Sequence, residues 1–320
     1  MCIRDRGRTV KGGPGISASG DVLVIWNNIT DFQVNLFNDG AVAKYNTITD
    51  CHMGMSGNGI MMNNIVSATY GVAPLDGAII KGNIITAVEN GVHSEFYAPA
   101  TSILDLANNV TLIENVITSK IGINIDDNNP DTDTIARLVV QGNTFVSSVS
   151  AINFVGAVLT ASEISGNTFN DKGMAFVNVG AQGVDFKNNI YVNIAADDLI
   201  SLSAPGVVTS TTIVSLNFNS IIFGLDVVER RVSSDGLNWI VVNNNGWLLD
   251  PKFFPEGSCN LRCLINDNKG NVFVASIAIV YDSKAPTINI LSPTEGEKVP
   301  MVSGIPLTIT WTVADQGTGH

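Results

Sequence analysis

Three short stretches of the sequence bring a histidine, amides and carboxylates to equivalent positions. Aligned on the small residue that opens each one, the stretches are 91–95, 122–126 and 151–155. Because side chains alternate across a strand, the apolar second residue of each stretch points inward, and the third and fifth residues point outward. The outward positions hold His93, Asn124 and Asn153 in one column and Glu95 and Asp126 in the next.

The column of carboxylates suggests acid–base or cation chemistry. Two carboxylates about 5 Å apart share a proton or bind a cation, since like charges raise each other's pKa. In one alternative, Glu95 and Asp126 act as the paired carboxylates of a glycoside hydrolase, with Asp127 beside them. No cofactor is required for that reaction.

In the other alternative, the carboxylates bind calcium, and a base removes a proton from a substrate whose acidic group the ion neutralises. Oxygen ligands at this spacing suit calcium better than zinc. The candidate ligands are Asp126, Asp127, Asp131 and Asp133. His93 or Lys120 would take the proton, and Asn124, Asn153 and Lys120 would bind the substrate. A solvated strand face with incidental polar residues explains the same pattern, and the frequency of structural charge networks favours that explanation.

Composition excludes several classes of function. The chain of 320 residues has 17 Lys and Arg against 29 Asp and Glu, a net charge of −12. A nucleic-acid binder needs a clustered excess of Lys and Arg, so no nucleic-acid partner is expected. No apolar run approaches the roughly 18 residues that span a bilayer, so no membrane span is predicted. We expect a monomer.

A repeat of about twenty residues predicts the elements that carry these positions. An Asn followed by any residue and then an apolar residue recurs along the first two thirds, and short alternating strands surround it. The first Asn of each copy is at positions 27, 46, 63, 83, 115, 143, 167 and 188. We expect these side chains to stack at one turn, with Asn143, Asn167 and Asn188 in one column. The pattern predicts an all-β protein.

The motifs at 142–145 and 166–169, Gly-Asn-Thr-Phe in both, resemble a known repeat. Residues 12–206 are similar to the right-handed parallel β-helix of pectate-lyase-like proteins and many microbial surface proteins. This resemblance implies stacked coils and specifies fold rather than activity. In such folds, polysaccharide lyases and hydrolases keep their sites on the outward strand face. A pectate-lyase-like site needs Arg or Lys there, and Lys120 is the one nearby candidate; the Gly-His-Gly and Arg-Ile-Lys motifs of polygalacturonases are missing from the sequence.

The last third of the sequence changes character. Longer alternating strands joined by Asp-Gly and Lys-Gly-Asn turns resemble bacterial Ig-like repeats. We therefore expect an Ig-like β-sandwich over 207–283, with a plain hairpin turn at 267–271, and the truncated start of a second Ig-like domain over 284–320.

The first eleven residues form an irregular or artefactual start. Residues 1–6 resemble the translation of a sequencing-library adapter, and we expect them to contact nothing in the fold. We further expect the chain to be an internal fragment of a longer protein.

These observations favour a secreted or cell-surface protein whose β-helix displays a carbohydrate- or host-facing surface, held away from the cell by Ig-like spacers. A polysaccharide lyase or glycoside hydrolase is the alternative. A flat Asn, Ser and Thr face favours the first, and a groove lined by aromatics and carboxylates favours the second.

Overall fold

The computed structural model is all-β, with large sheets of parallel strands, and contains no helix among the residues described. The described residues are 2–3, 14–30, 34–93, 108–126, 134–155, 158–170, 174–177, 184–192, 200–205, 207–209, 211–218, 226–243, 246–250, 252–299 and 306–314. Contacts divide the chain into two compact units. The first contains 1–201, 218–229 and 264–275, and the second contains 202–217, 230–263 and 276–320.

The first sheet of unit 1 has nine short parallel strands, and all but the first precede one of the recurring Asn residues. They are Cys2–Ile3, Leu23–Ile25, Val42–Lys44, Ile60–Met62, Ile79–Lys81, Thr111–Ile113, Val139–Gln141, Ser162–Ser165 and Val184–Lys187. The backbone of Cys2 and Ile3 pairs in parallel with Leu23 and Val24. The prediction that residues 1–6 contact nothing is therefore wrong for these two residues.

The second sheet is formed by the strands that follow each Asn, which also pair in parallel. They are Asn28–Thr30, Thr47–Gly57, Ile65–Pro74, Ile84–Ala87, Val116–Asp126, Thr144–Val155, Thr168–Asn170, Ile190–Val192 and Val272–Tyr281. The long members continue past a corner into a third row of parallel pairs, which also includes Pro14–Ser19, Val34–Asp39, Asn90–His93 and Met174–Val177. Thr134–Ala136 and Val158–Thr160 form a separate parallel pair.

The core of unit 1 is a column of apolar side chains, one from each repeat, two residues after the Asn. In the later repeats these are stacked rings: Phe145, Phe169, Tyr191 and Phe273, whose centroids are 5.1, 5.0 and 4.7 Å apart. None of these four is exposed to solvent. Burial of these rings and of their aliphatic counterparts in the earlier repeats stabilises the stack.

A ladder of nine buried asparagines runs along unit 1. The backbone N–H and the Nδ2 of each donate to the Oδ1 of the next at 2.8–3.1 Å. The members are Asn27, Asn46, Asn64, Asn83, Asn115, Asn143, Asn167, Asn189 and Asn271. The ladder satisfies amides that would otherwise be buried without a partner at this turn.

The predicted column is confirmed for Asn143 and Asn167, but the prediction for Asn188 is wrong by one residue. Asn189 is the ladder residue, whereas Asn188 has φ 54°. Likewise, Asn64 is the ladder residue, and Asn63 before it has φ 54°. Each ladder Asn follows a residue in the left-handed region, so in an Asn-Asn pair the first residue takes that conformation and the second joins the ladder.

The ladder also continues where the sequence pattern was expected to stop. Asn189 is followed by Asn271, 82 residues later, and Ile190 pairs in register with Val272. The predicted turn at 267–271 is present, since the Asp267 amide donates to the Asn271 carbonyl at 3.1 Å. Its Gly270-Asn271-Val272-Phe273 segment has the same motif as 142–145.

The Asp267 carboxylate terminates the ladder. It accepts the backbone N–H of Asn271 at 2.9 Å and the Asn271 Nδ2 at 2.7 Å, and it is 3% exposed. The ladder amides are aligned head to tail, so their donor ends all point toward this residue. A carboxylate there makes charge-assisted hydrogen bonds, as a negative charge does at a helix N-terminus.

The second unit contains antiparallel pairs. Ile213–Phe218 pairs with Gly246–Leu248, Val227–Ser233 with Ile240–Val241, and Thr287–Ser292 with Thr310–Ala314. The other described strands that lie wholly or partly in it are Ile200–Ser203, Val207–Val208, Gly257–Asp267 and Val272–Tyr281. The Ig-like assignment of 207–283 and 284–320 stays a prediction, although 264–275 belongs to unit 1.

Candidate functional site

A column of glycines positions the strand face that carries the predicted site. Gly71, Gly91 and Gly122 open the third-row segments of successive repeats. A Cβ on Gly91 would lie 2.3 Å from Ile117 Cγ2 and 2.8 Å from the Gly122 carbonyl oxygen. At Gly91 only glycine fits without a shift of its neighbours, and an added Cβ on Gly71 or Gly122 would likewise meet a carbonyl oxygen of the next repeat.

The predicted alignment of the three stretches is present in the backbone. Val92 pairs with Ile123 and Ile123 with Ile152, and all three side chains are buried in the core. The next residues along, His93, Asn124 and Asn153, are likewise in register. The strands therefore bring these three positions into one column.

Within this column the two asparagines bind each other. The Asn153 Nδ2 donates to the Asn124 Oδ1 at 2.7 Å, and Asn124 is only 8% exposed. The Asn153 Oδ1 is buried and accepts no hydrogen bond within the described part of the chain. The pair therefore resembles a further rung of stacked amides and presents no exposed acceptor at the Asn153 Oδ1.

Lys120, the predicted cation of the site, is held at the preceding corner. Its Nζ lies 2.9 Å from the Glu89 Oε2, with both side chains partly exposed. An exposed ion pair of this kind adds little stability. The Lys120 ammonium group, which a lyase would use to bind an acidic sugar, is therefore already paired with the Glu89 carboxylate.

The remaining predicted site residues are described only in part. The backbone of Asp126 pairs with Val155, and that of His93 with Asn124. Glu95, Asp127, Asp131 and Asp133 lie outside the described residues. Among the residues that are described, no group of three or more His, Cys, Asp or Glu side chains could hold a metal ion. The calcium site stays a prediction.

An exposed aromatic pair that the sequence pattern did not predict lies at the turn before the ladder asparagines, which we call the ladder corner. Trp26 and Tyr45 are stacked with ring centroids 4.8 Å apart and planes at 15°, and they are 55% and 41% exposed. Each directly precedes a ladder Asn and has a positive φ, 58° and 57°. The signal that locates them is an aromatic residue at the position where other repeats have Gly82, Gly142 or Gly166.

A charged cluster lies at the other end of the first sheet. Lys187 contacts Glu163 at 3.1 Å and Asp185 at 3.4 Å, and Lys269 contacts Asp185 at 2.9 Å. The pKa of Glu163 is lowered mainly by the hydrogen bond from Ser165 and next by the one from Lys187. The pKa of Asp185 is lowered mainly by the hydrogen bond from Lys269. The cluster joins the last repeat before the 82-residue interval to the segment that carries Asn271.

We expect this cluster to make stability depend on acid pH. Because both carboxyl pKa values are lowered in the folded chain, their contribution is present above the ordinary values of 4.5 and 3.8 and is lost as the pH falls through the lowered values. The denaturant concentration at which half of the parent is unfolded should decrease as the pH is lowered from 5 to 3. Lys187→Met should make that decrease smaller. Lys284→Met, in unit 2, is the control; equal slopes for all three proteins would contradict the assignment.

Comparisons with protein-family models and with curated proteins found no match to this chain. The large parallel sheets, with no helix among the residues described, are compatible with a β-helix-like all-β fold. In the described part of the chain, no helix is long and apolar enough to cross a membrane.

Proposed function

We propose that this chain is a right-handed parallel β-helix with Ig-like spacers that acts outside the cell or on its surface and displays a glycan-binding surface. The observation that carries the proposal is the exposed stack of Trp26 and Tyr45. Aromatic rings bind sugars by packing against the C–H faces of pyranoses, while the indole N–H and phenol hydroxyl bind their hydroxyls.

The backbone of the aromatic pair supports a role in binding. A bulky residue with positive φ is an outlier that costs of order 1 kcal/mol or more, and such strain accumulates at functional sites. Gly occupies the same corner position in four repeats at φ 62–76°, so the fold itself does not require an aromatic ring there. Trp26 and Tyr45 hold more than two fifths of their surface in solvent, where they gain little from burial.

The polar column of the predicted site also fits a display surface. Its two amides bind each other and Lys120 binds Glu89, so these groups are already paired within the chain. The enzymatic alternative rests on Glu95, Asp126, Asp127 and His93. A screen for turnover of acidic and neutral polysaccharides, with and without calcium, tests it through Glu95→Gln and Asp126→Asn.

We expect Trp26→Gly to weaken glycan binding strongly with little change in stability. Glycine relieves the positive φ and removes the ring stack, so the free energy of unfolding should change by less than about 1 kcal/mol. The variant should bind at least about tenfold more weakly than the parent to the polysaccharide that the parent binds. Binding is measured by depletion from solution onto insoluble polysaccharides and by affinity electrophoresis in soluble ones.

Glu114→Gly is the matched control, since Glu114 occupies the same corner position with φ 56° and carries no ring. It should retain parent affinity. Equal binding by the parent and the Trp26→Gly variant, or equal loss in both variants, would contradict a role for the aromatic pair.

A further inference from the structure

The outer surface of the second sheet is an uncharged array that continues through all nine repeats. It consists of the residues one and three positions after each ladder Asn, and we call it the ladder-side face. The first column is Asn28, Thr47, Ile65, Ile84, Val116, Thr144, Thr168, Ile190 and Val272. The second column is Thr30, Thr49, Ser67, Thr86, Thr118, Val146, Asn170, Val192 and Val274. Every one of these side chains is exposed or half-buried.

The ladder-side face is regular as well as long. The first column pairs in parallel register without interruption from Asn28 to Val272. Its members are therefore separated by the spacing of neighbouring strands, about 4.8 Å, and the two columns by two residues of strand, about 6.6 Å. The buried ladder beside the face fixes the position of each strand. Both columns are mostly β-branched residues, which have few side-chain rotamers.

The absence of charge from this face is a deviation from ordinary protein surface. Charged residues make up 14% of this chain, so about three of these 18 positions would be charged at the average composition. None of the positions is, in a chain with 17 basic and 29 acidic residues. A charged ligand would lose hydration here and find no opposite charge in return. Charge complementarity therefore selects a neutral occupant.

The chemistry of the two columns is also specific. Threonines present a hydroxyl and a methyl group side by side, and Ile65, Ile84, Val116 and Ile190 add apolar patches that are 42–50% exposed. A neutral ligand that matches must alternate hydroxyl groups with C–H surface. Pyranose rings with equatorial hydroxyls have this character, and an extended β-linked chain advances by roughly one strand spacing per sugar.

We propose that the ladder-side face binds a neutral, extended, β-linked polysaccharide that lies along the stack, with one sugar over each strand. The inference rests on the proposed glycan-binding function and assigns it a ligand class and a surface. Trp26 and Tyr45 stand at the edge of the same face, each two residues before a member of its first column. They cover one end of the bound chain.

The test introduces a charge at the centre of the face. Ile84→Lys and Ile84→Glu place either sign in the first column, where Ile84 is 50% exposed. The matched control is Ile79→Lys, because Ile79 is a 36% exposed isoleucine in a parallel strand of the first sheet in the same repeat. The probes are crystalline cellulose and chitin as neutral β-linked polymers, starch as a neutral α-linked polymer, and polygalacturonate as an acidic one.

We expect the parent to bind cellulose or chitin, both Ile84 variants to bind at least about tenfold more weakly, and Ile79→Lys to bind like the parent. All variants should melt within about 2 °C of the parent, since the substituted residues are exposed. Binding to polygalacturonate or starch alone, or equal effects of the Ile84 and Ile79 variants, would overturn this inference and leave the proposed function standing. If the parent binds none of the four polymers, both fail.

Discussion

Asn143→Ala is expected to lower the free energy of unfolding by about 3 kcal/mol. The Asn143 Oδ1 accepts two hydrogen bonds from Asn115, and its Nδ2 donates to the Asn167 Oδ1 and to the Leu112 carbonyl. All three asparagines are 0–1% exposed. Alanine leaves the backbone N–H of Asn115 and one of its two Nδ2 hydrogens buried without an acceptor, since the Nδ2 keeps only its bond to the Ile80 carbonyl. Each unsatisfied buried group costs about 1–3 kcal/mol.

The measurement is equilibrium denaturation of parent and variant, followed by circular dichroism. Asn188→Gly is the control, because Asn188 precedes the ladder residue Asn189 and its positive φ suits glycine. We expect that control to change stability by less than about 1 kcal/mol. A small effect of Asn143→Ala, comparable with that of Asn188→Gly, would show that the ladder contributes little to stability.

Gly71→Ala is expected to cost about 3 kcal/mol or more, for a steric reason. An added Cβ would lie 2.3 Å from the Gly91 carbonyl oxygen and 2.4 Å from Ile85 Cγ2. The carbonyl belongs to the backbone of the next repeat and cannot rotate away, so the strands must separate. Separation there would also weaken the parallel pairs on both sides of the corner.

Two other positions isolate the steric effect. Gly77→Ala places a Cβ where no atom lies within 4 Å, but at φ +78°, so it reports backbone strain alone, about 1 kcal/mol. Ala151 already stands in the same column as Gly122, fully buried, and Ala151→Gly in this strand should cost about 0.5–1 kcal/mol. Denaturant midpoints for the three variants give the comparison. If Gly71→Ala cost no more than Gly77→Ala, the corner would have room that its contacts do not indicate.

Local pattern was enough to predict the all-β class, the inward column and the alignment of His93, Asn124 and Asn153. Each depends on the alternation of side chains along a strand and on a turn that recurs at a similar interval, and both are visible in a short window of sequence. Local pattern was not enough to predict which residue joins the ladder at Asn63-Asn64 and at Asn188-Asn189. Two adjacent asparagines match the repeat equally well, and only the positive φ of the first decides which one is buried.

Long-range pairing was beyond the sequence pattern. Gly270-Asn271-Val272-Phe273 has the ladder motif, yet an Asp-x-x-Gly-Asn turn is equally typical of a hairpin, and 82 residues separate it from Asn189. The same limit applies to the predicted site. Alternation aligned Asn124 and Asn153, but their mutual hydrogen bond and the burial of Asn124 depend on the packing of neighbouring repeats. Residue types and spacing determined the strands and the columns; the stacking of those strands decided which polar groups bind each other and which face remains open to a ligand.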